Sequence, residues 1–370
     1  MQLKLKNKLV KQEVKAALAA EPYESAEIVG LLYVSDATPG IKRQRKGKGF
    51  CYYDAEGNKI CCEDELNRIK ALVIPPAWDE VWICSDERGH LQATGRDEKG
   101  RKQYRYHAHW RKIRSQTKFN RTIAFGLALP KIREQVQKDL RKHGLPKEKV
   151  LAATVKLLET TKIRVGNEEY AQKNKSFGLT TMKQRHVDIS GSRLRFKFRG
   201  KSGVDHDIEL CDRRLAKIVK RIQELPGQEL FQFIDDDKKR HSIDSADVND
   251  YLKEITDLDF TAKDFRTWFG TVLAAEELYE FGKFESEKQA NKNIVQAIKN
   301  VAQELGNRPA TCRKYYVHPG ILAAYKDGSL FSEIEKLYRV DKDKLKLRPV
   351  EQAVLNILEK HLLQEVEENE

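Results

Sequence analysis

The 370-residue chain carries 69 Lys and Arg against 56 Asp and Glu, a formal charge of +13 at pH 7, with 40% hydrophobic residues. That is apolar content enough for two domains with their own cores, and the positive excess favours a polyanion, either nucleic acid or an anionic membrane surface. No segment approaches the roughly 20 apolar residues of a membrane span, and the N-terminus alternates Lys with Leu and Val where a secretory signal would be apolar, so a soluble cytoplasmic protein is expected.

From Gly30 to Tyr106 short alternating runs are broken by glycine turns, Phe50-Cys51-Tyr52-Tyr53 before Asp54-Ala55-Glu56-Gly57 and Trp82-Ile83-Cys84 before Asp86-Glu87-Arg88-Gly89. These are hairpin signals and predict a mainly antiparallel β domain. The cluster Lys42, Arg43, Arg45, Lys46 and Lys48 reads as a flexible basic loop adding non-specific affinity. A short helix is expected over Cys62–Leu72, followed by a rigid extended connection at Ile74-Pro75-Pro76-Ala77-Trp78. Tyr104 and Tyr106, two apart, share one strand face, interleaved with Arg101, Lys102 and Arg105 in a pattern that suits phosphates and base edges, or equally a packed sheet face with solvated arginines.

Beyond about Arg114 helical spacing takes over, as in Ile132, Val136 and Leu140 before Gly144, and Ile294, Ile298, Val301 and Leu305 before Gly306. The exception is Arg193-Leu194-Arg195-Phe196-Lys197-Phe198, which alternates strictly, turns at Gly200-Lys201-Ser202-Gly203 and resumes at Asp207-Ile208-Glu209-Leu210. That predicts a β-hairpin inside a helical domain with Lys201 at its tip. A packed helix around Val350–Leu363 and a solvated acidic end close the chain. The six cysteines, Cys51, Cys61, Cys62, Cys84, Cys211 and Cys312, lack C-x-x-C spacing and a nearby His pair, so free thiols are expected and no metal site or other cofactor.

Four stretches carry the chemistry: Lys162-Ile163-Arg164-Val165-Gly166-Asn167-Glu168-Glu169-Tyr170, Arg199-Gly200-Lys201-Ser202, Phe265-Arg266-Thr267-Trp268 and Arg313-Lys314-Tyr315-Tyr316-Val317-His318-Pro319. Together they supply two arginines, a lysine and a tyrosine, a set able to cut and reseal a phosphodiester without metal. A phenol oxygen attacks phosphorus, guanidinium groups hold the charge that builds on the non-bridging oxygens, and an ammonium protonates the departing oxygen. Taken singly each has a plainer reading. Arg164 fits a helix pair with Glu168, Arg266 a surface residue beside Trp268, Lys201 a solvated turn lysine, and Tyr316 a half-buried helix end.

The order of these stretches, with Ser176-Phe177-Gly178-Leu179-Thr180-Thr181, Asn307-Arg308-Pro309-Ala310-Thr311-Cys312-Arg313-Lys314, Gly89-His90-Leu91-Gln92-Ala93-Thr94-Gly95-Arg96-Asp97 and Gly100-Arg101-Lys102-Gln103-Tyr104-Arg105-Tyr106-His107, resembles the poxvirus-like, bacterial type IB DNA topoisomerases from about Gly30 to about Leu322. The resemblance implies that Tyr316 and not Tyr315 is the nucleophile, that Arg164 and Arg266 are active-site arginines, and that Lys201 is the general acid. It implies DNA contacts at Gln103, Tyr104, Tyr106 and Tyr170. Asn307 departs from the poxvirus members and the tyrosine recombinases, which usually carry histidine there, while many bacterial relatives have asparagine. Its amide can donate one hydrogen bond to a phosphate oxygen; its plainer reading is a left-handed helix cap.

The expected fold is α+β, a β-rich DNA-binding domain over residues 1–115 and a mainly α catalytic domain over 116–370, forming a clamp on double-stranded DNA. The expected activity is relaxation of supercoils by a monomer through a 3′-phosphotyrosyl link, without ATP or metal, in the nucleoid. Two rivals are a tyrosine recombinase, which assembles tetramers and usually carries a helical N-terminal domain, and a non-enzymatic basic DNA-binding protein.

Overall fold

A computed structural model describes residues 14, 22–27, 29–47 and 49–368. The chain divides into two compact units, one over Lys15–Asn120 and the other chiefly over Arg121–Glu370. Among the described residues no helix is long and apolar enough to cross a membrane.

The smaller unit is built on one antiparallel sheet. After α1 (Pro22–Glu27) come β1 (Ile41–Lys46), β2 (Gly49–Tyr53), α2 (Glu63–Ala71), β3 (Asp79–Ile83), β4 (Leu91–Arg96) and β5 (Lys102–Tyr106), in an antiparallel sheet of order β2-β1-β3-β4-β5. Ile41, Val81, Ile83 and Ala93 bury one face against Ile69 of α2. Helix α2 sits within a residue of its expected span, with Cys62 and Leu72 as caps.

The cluster expected to be a basic loop is instead strand β1, paired with β2 and β3; Lys48 lies outside the described residues. Arg43 donates to the carbonyls of Ile74, Pro75 and Trp78, at 3.4, 3.1 and 2.5 Å, and Arg45 to that of Pro76 at 3.3 Å. A proline-rich connection offers carbonyls without matching N–H groups, and these arginines fill the deficit.

Helix α3 (Ala108–Asp139) begins six residues before the Arg114 expected from spacing. In the larger unit α4 (Lys147–Thr161) and α5 (Glu168–Asn174) precede a three-stranded antiparallel sheet, β6 (Val187–Ser190), β7 (Arg193–Arg199) and β8 (Asp205–Cys211). Strand β7 alternates as its sequence demands: Leu194, Phe196 and Phe198 are buried, and Arg195 pairs with Asp207 across the exposed face. Then come α6 (Arg213–Gln223), a small hairpin of β9 (Gln232–Ile234) and β10 (Arg240–Ser242), and α7 (Ser245–Thr256). The remaining helices are α8 (Ala262–Glu280), α9 (Glu287–Glu304), α10 (Pro309–Tyr315), α11 (Pro319–Lys326), α12 (Ser329–Tyr338) and α13 (Pro349–Glu367). Phe125, Phe260, Phe265 and Trp268 are among the largest fully buried side chains; Phe265 and Trp268 belong to α8, the helix that carries Arg266, and Phe125 packs edge-on against both Phe265 and Phe260.

Candidate active site

Arg164 lies just after α4, whose end is marked by Lys162 in the left-handed region (φ 58°). It is therefore not helical, and the helix pair with Glu168 does not form; Glu168 accepts from Gln172 instead, at 3.1 Å. The segment is held from behind by the Ser176–Thr181 run: Leu179 N–H donates to the Arg164 carbonyl at 2.9 Å and Thr180 N–H to that of Val165 at 2.7 Å. With its backbone fixed, Arg164 donates through Nη2 to Asn307 Oδ1 at 2.7 Å and to the Gly306 carbonyl at 3.1 Å.

Arg266 is only 7% exposed, so it is not the surface residue of the plainer reading. Its guanidinium donates to the Lys162 carbonyl at 2.8 Å and the Leu305 carbonyl at 2.6 Å, and its Cζ lies 5.3 Å from the centre of the Tyr316 ring. One turn on, Gly270 and Thr271 meet the Tyr316 backbone. A Cβ on Gly270 would collide with the Tyr316 carbonyl oxygen, and the Thr271 hydroxyl lies 3.3 Å from that oxygen and accepts from His318 N–H at 3.1 Å. Tyr316 caps α10 and is half-buried, whereas Tyr315 is 47% exposed. Buried His318 accepts from Gly320 N–H at 3.0 Å, fixing the turn into α11.

Asn307 does not take the left-handed position. Gly306 does, with φ 56°, and Asn307 N–H donates back to the Ala302 carbonyl at 2.8 Å, closing α9. The amide Oδ1 is committed to Arg164, and Nδ2 is buried without a hydrogen-bond partner. Lys201 is exposed, at the tip between β7 and β8 as expected, with Nζ 5.6 Å from the ring of Tyr170, itself 51% exposed. The structure thus gathers Arg164, Arg266, Asn307 and Tyr316 in one place, with Lys201 and Tyr170 beside each other.

The electrostatics of this group are one-sided. Burial, then the charge of Arg266, pushes Arg164 down to about 10, with Tyr316 opposing; burial likewise holds Arg266 below its ordinary value. Among the described residues neither guanidinium has a carboxylate within ion-pair distance. Half-buried Arg164 and buried Arg266, with a phenol beside them and carbonyls and an amide around them, form a preorganised anion site suited to the equatorial oxygens of a phosphodiester under attack. Carbonyls supply only part of the compensation a carboxylate would.

Residues 107–341 match the family described as eukaryotic DNA topoisomerase I, catalytic core, and residues 49–97 that described as bacterial DNA topoisomerase IB, N-terminal domain. A DNA topoisomerase 1B of Acanthamoeba polyphaga mimivirus is 32% identical over 299 residues, 79% of this chain and 89% of the relative. The chain belongs to the type IB DNA topoisomerases. DNA topoisomerase 1B of vaccinia virus (strain Copenhagen) and DNA topoisomerase I of monkeypox virus are each 25% identical over 270 residues, 72% of this chain and 80% of theirs. The chain is accordingly an isomerase that relaxes DNA supercoils, which sets aside the recombinase and the non-enzymatic binder.

In the smaller unit of the topoisomerase, Tyr104 and Tyr106 lie on the exposed face of β5 with rings stacked at 5.9 Å and 7°, and Lys102, paired with Asp36, lies 5.7 Å from the Tyr104 ring. Gln103 and Arg105 are on the other face: Gln103 donates to Asp97 at 3.0 Å, and Arg105 to the Val73 carbonyl at 2.6 Å. Arg101 is paired with Asp97 at 2.7 Å. The strand alternation that aligns the tyrosines also removes Gln103 and Arg105 from their face.

Sequence reasoning missed three contributors in the larger unit. Gly270 and Thr271 were readable in principle, one helical turn beyond Arg266. His206, opposite Phe198 in the β7–β8 register and stacked on it at 4.9 Å, had no local signal at all.

Proposed function

We propose that the enzyme relaxes supercoiled double-stranded DNA as a monomer in the nucleoid, with each chemical role carried by a residue of the larger unit. Tyr316 Oη attacks the phosphorus as the bond to the 5′ oxygen breaks, and that oxygen takes a proton from Lys201. The products are a 3′-phosphotyrosyl ester and a free 5′-hydroxyl. After the free end has swivelled, the hydroxyl returns its proton to Lys201 and attacks phosphorus, expelling Tyr316. The ester linkage is conserved throughout, so no ATP is needed.

Arg164 and Arg266 hold the non-bridging oxygens and stabilise the anionic oxygen with which Tyr316 attacks. Asn307 donates its unpartnered Nδ2–H to the same phosphate. Tyr170, Tyr104 and Tyr106 grip the duplex, and the exposed turn lets Lys201 reach the leaving oxygen once DNA is bound. The observation that carries this reading is half-buried Arg164 and buried Arg266 gathered at Tyr316 with no carboxylate among the described residues to neutralise them.

Plasmid relaxation in EDTA without ATP, followed by denaturant trapping of protein on DNA, tests the reaction. Strict metal dependence of cleavage would sink the scheme. The acid is tested separately: Lys201→Ala should cleave an ordinary phosphodiester very slowly, yet recover most of its rate when the bridging 5′ oxygen is replaced by sulfur, which leaves without a proton. Arg266→Ala should show little such rescue.

A further inference from the structure

His206 occupies a position that the proposed scheme leaves unused. It lies on the half-buried face of β8, where its ring stacks on Phe198 at 15° and its edge points along the backbone of two turns. A Cβ placed on Gly200 would lie 2.6 Å from its Cδ2 and Nε2, and one placed on Gly306 2.9 Å from its Cε1. Gly200 immediately precedes Lys201; Gly306 immediately precedes Asn307. The imidazole is therefore wedged between the turn that presents the acid and the turn that presents the amide.

The two glycines differ in a way that isolates the ring's role. Gly306 has φ 56°, a conformation that disfavours any side chain by itself. Gly200 has φ −96° and ψ −168°, ordinary extended backbone open to any L residue. The steric demand for glycine at 200 comes from the His206 ring, with Phe198 further off at 3.6 Å. The hairpin is tied in at the same level by Phe177 N–H, which donates to the Arg199 carbonyl at 2.8 Å and so joins it to the run that braces Arg164.

We infer that His206 is a positioning residue for transesterification, a flat strut that sets the distance between the Lys201 turn and the Gly306–Asn307 turn. The inference rests on the proposed acid role of Lys201. The ring touches backbone and not the reacting atoms, so its effect passes through the two residues it spaces. Its removal lets the hairpin base close toward Gly306, and Lys201 then meets the 5′ oxygen less often.

The test is single-turnover cleavage by His206→Ala on an ordinary phosphodiester and on its 5′-bridging sulfur analogue, with Lys201→Ala in parallel and DNA affinity as the folding control. His206→Ala should slow the ordinary substrate by about 10- to 100-fold, part of the roughly 10²–10⁴-fold a positioned acid supplies, and lose most of that defect on the sulfur substrate. Equal defects on both substrates, while Lys201→Ala is rescued, would overturn the strut alone. Failure of Lys201→Ala to be rescued would overturn the acid assignment and the strut with it.

Gly200→Ala gives an independent check. Alone it should slow cleavage, because its methyl meets the ring; in the His206→Ala background it should cost little more. Additive losses would show that the ring and Gly200 do not act on each other, and would reject the inference.

Discussion

Two groups of guanidinium side chains, half-buried Arg133 in one and half-buried Arg164 with buried Arg266 in the other, lie in the larger unit, and they are balanced in opposite ways. Arg133 donates to both oxygens of Glu351, at 2.8 and 2.7 Å, and to Glu159 at 2.6 Å, with Glu351 itself 0% exposed. Burial opposes the Arg133 charge, but the bonds and charges of Glu351 and Glu159 outweigh it and hold the group above its ordinary value. Arg164 and Arg266 lie below theirs, with carbonyls and an amide for company. A buried charge neutralised within the chain is scaffold, joining α3 and α4 to α13. A buried charge left unneutralised costs folding energy and is retained where a visiting anion completes it.

Removing the phenol that faces the unbalanced pair should have the largest effect. Tyr316→Phe should abolish relaxation and covalent trapping while DNA binding in a gel shift stays near parent level, and Tyr315→Phe should remain active. Trapping by Tyr316→Phe would end the assignment of the nucleophile.

The arginines should separate next. Arg164→Ala or Arg266→Ala should lower the cleavage rate by roughly 10²–10³-fold, the usual loss for one preorganised oxyanion donor, with a modest change in melting temperature. Arg133→Ala should do the reverse, costing about 1.5–3 kcal/mol of stability by leaving Glu351 to Arg348 alone while the folded fraction cleaves near the parent rate. The opposite allocation, measured by denaturation and single-turnover cleavage, would dissolve the distinction.

Asn307 allows one class to be converted into the other. Asn307→Ala should cost roughly 2.7–4 kcal/mol in the transition state if Nδ2–H reaches the phosphate, slowing cleavage and religation together. Asn307→His should retain substantial activity through an imidazole N–H. Asn307→Asp places a carboxylate against Arg164 in the manner of Glu351 against Arg133; it should melt higher than Asn307→Ala and cleave more slowly. A rate for Asn307→Ala equal to the parent's, with only lower stability, would leave the residue as the end of α9.

The smallest effect is in pH. Burial, with the charges of Arg164 and Arg266, holds the His206 imidazole below its ordinary 6.5. Between the folded value and 6.5 the unfolded chain binds the extra proton, so this contribution is complete above about 6.5 and is lost as pH falls through that value toward the folded one. Melting temperatures measured downward from neutral pH should therefore drop less steeply in His206→Ala than in the parent; parallel curves would remove His206 from the titration.

What was legible in the sequence was whatever a single element decides. Period-two alternation gave the β7–β8 hairpin and put Lys201 at its tip, and the same rule aligned Tyr104 with Tyr106. The basic residues of β1 were misread because their partners, the carbonyls after Ile74, are remote in sequence and carry no charge to signal a pairing. Gln103 was grouped with the tyrosines by motif although alternation alone turns it away. The convergence of Arg164, Arg266, Asn307 and Tyr316 was ordered by the family resemblance and by nothing local, since each comes from a different segment and packing alone unites them. His206 escaped for the same reason.

Helix α8 holds Tyr316 at two heights, the ring beside Arg266 and the main chain against Gly270 and Thr271 one turn later. In the covalent stage proposed above, the broken strand would hang from that phenol. An attachment seated on a helix, without a flexible linker, works as a fixed post: torsion in the DNA turns the loose end about it and leaves the anchored end where it was cut. The severed ends then need only a rotation to face each other again, and accurate resealing becomes a matter of waiting for the right angle.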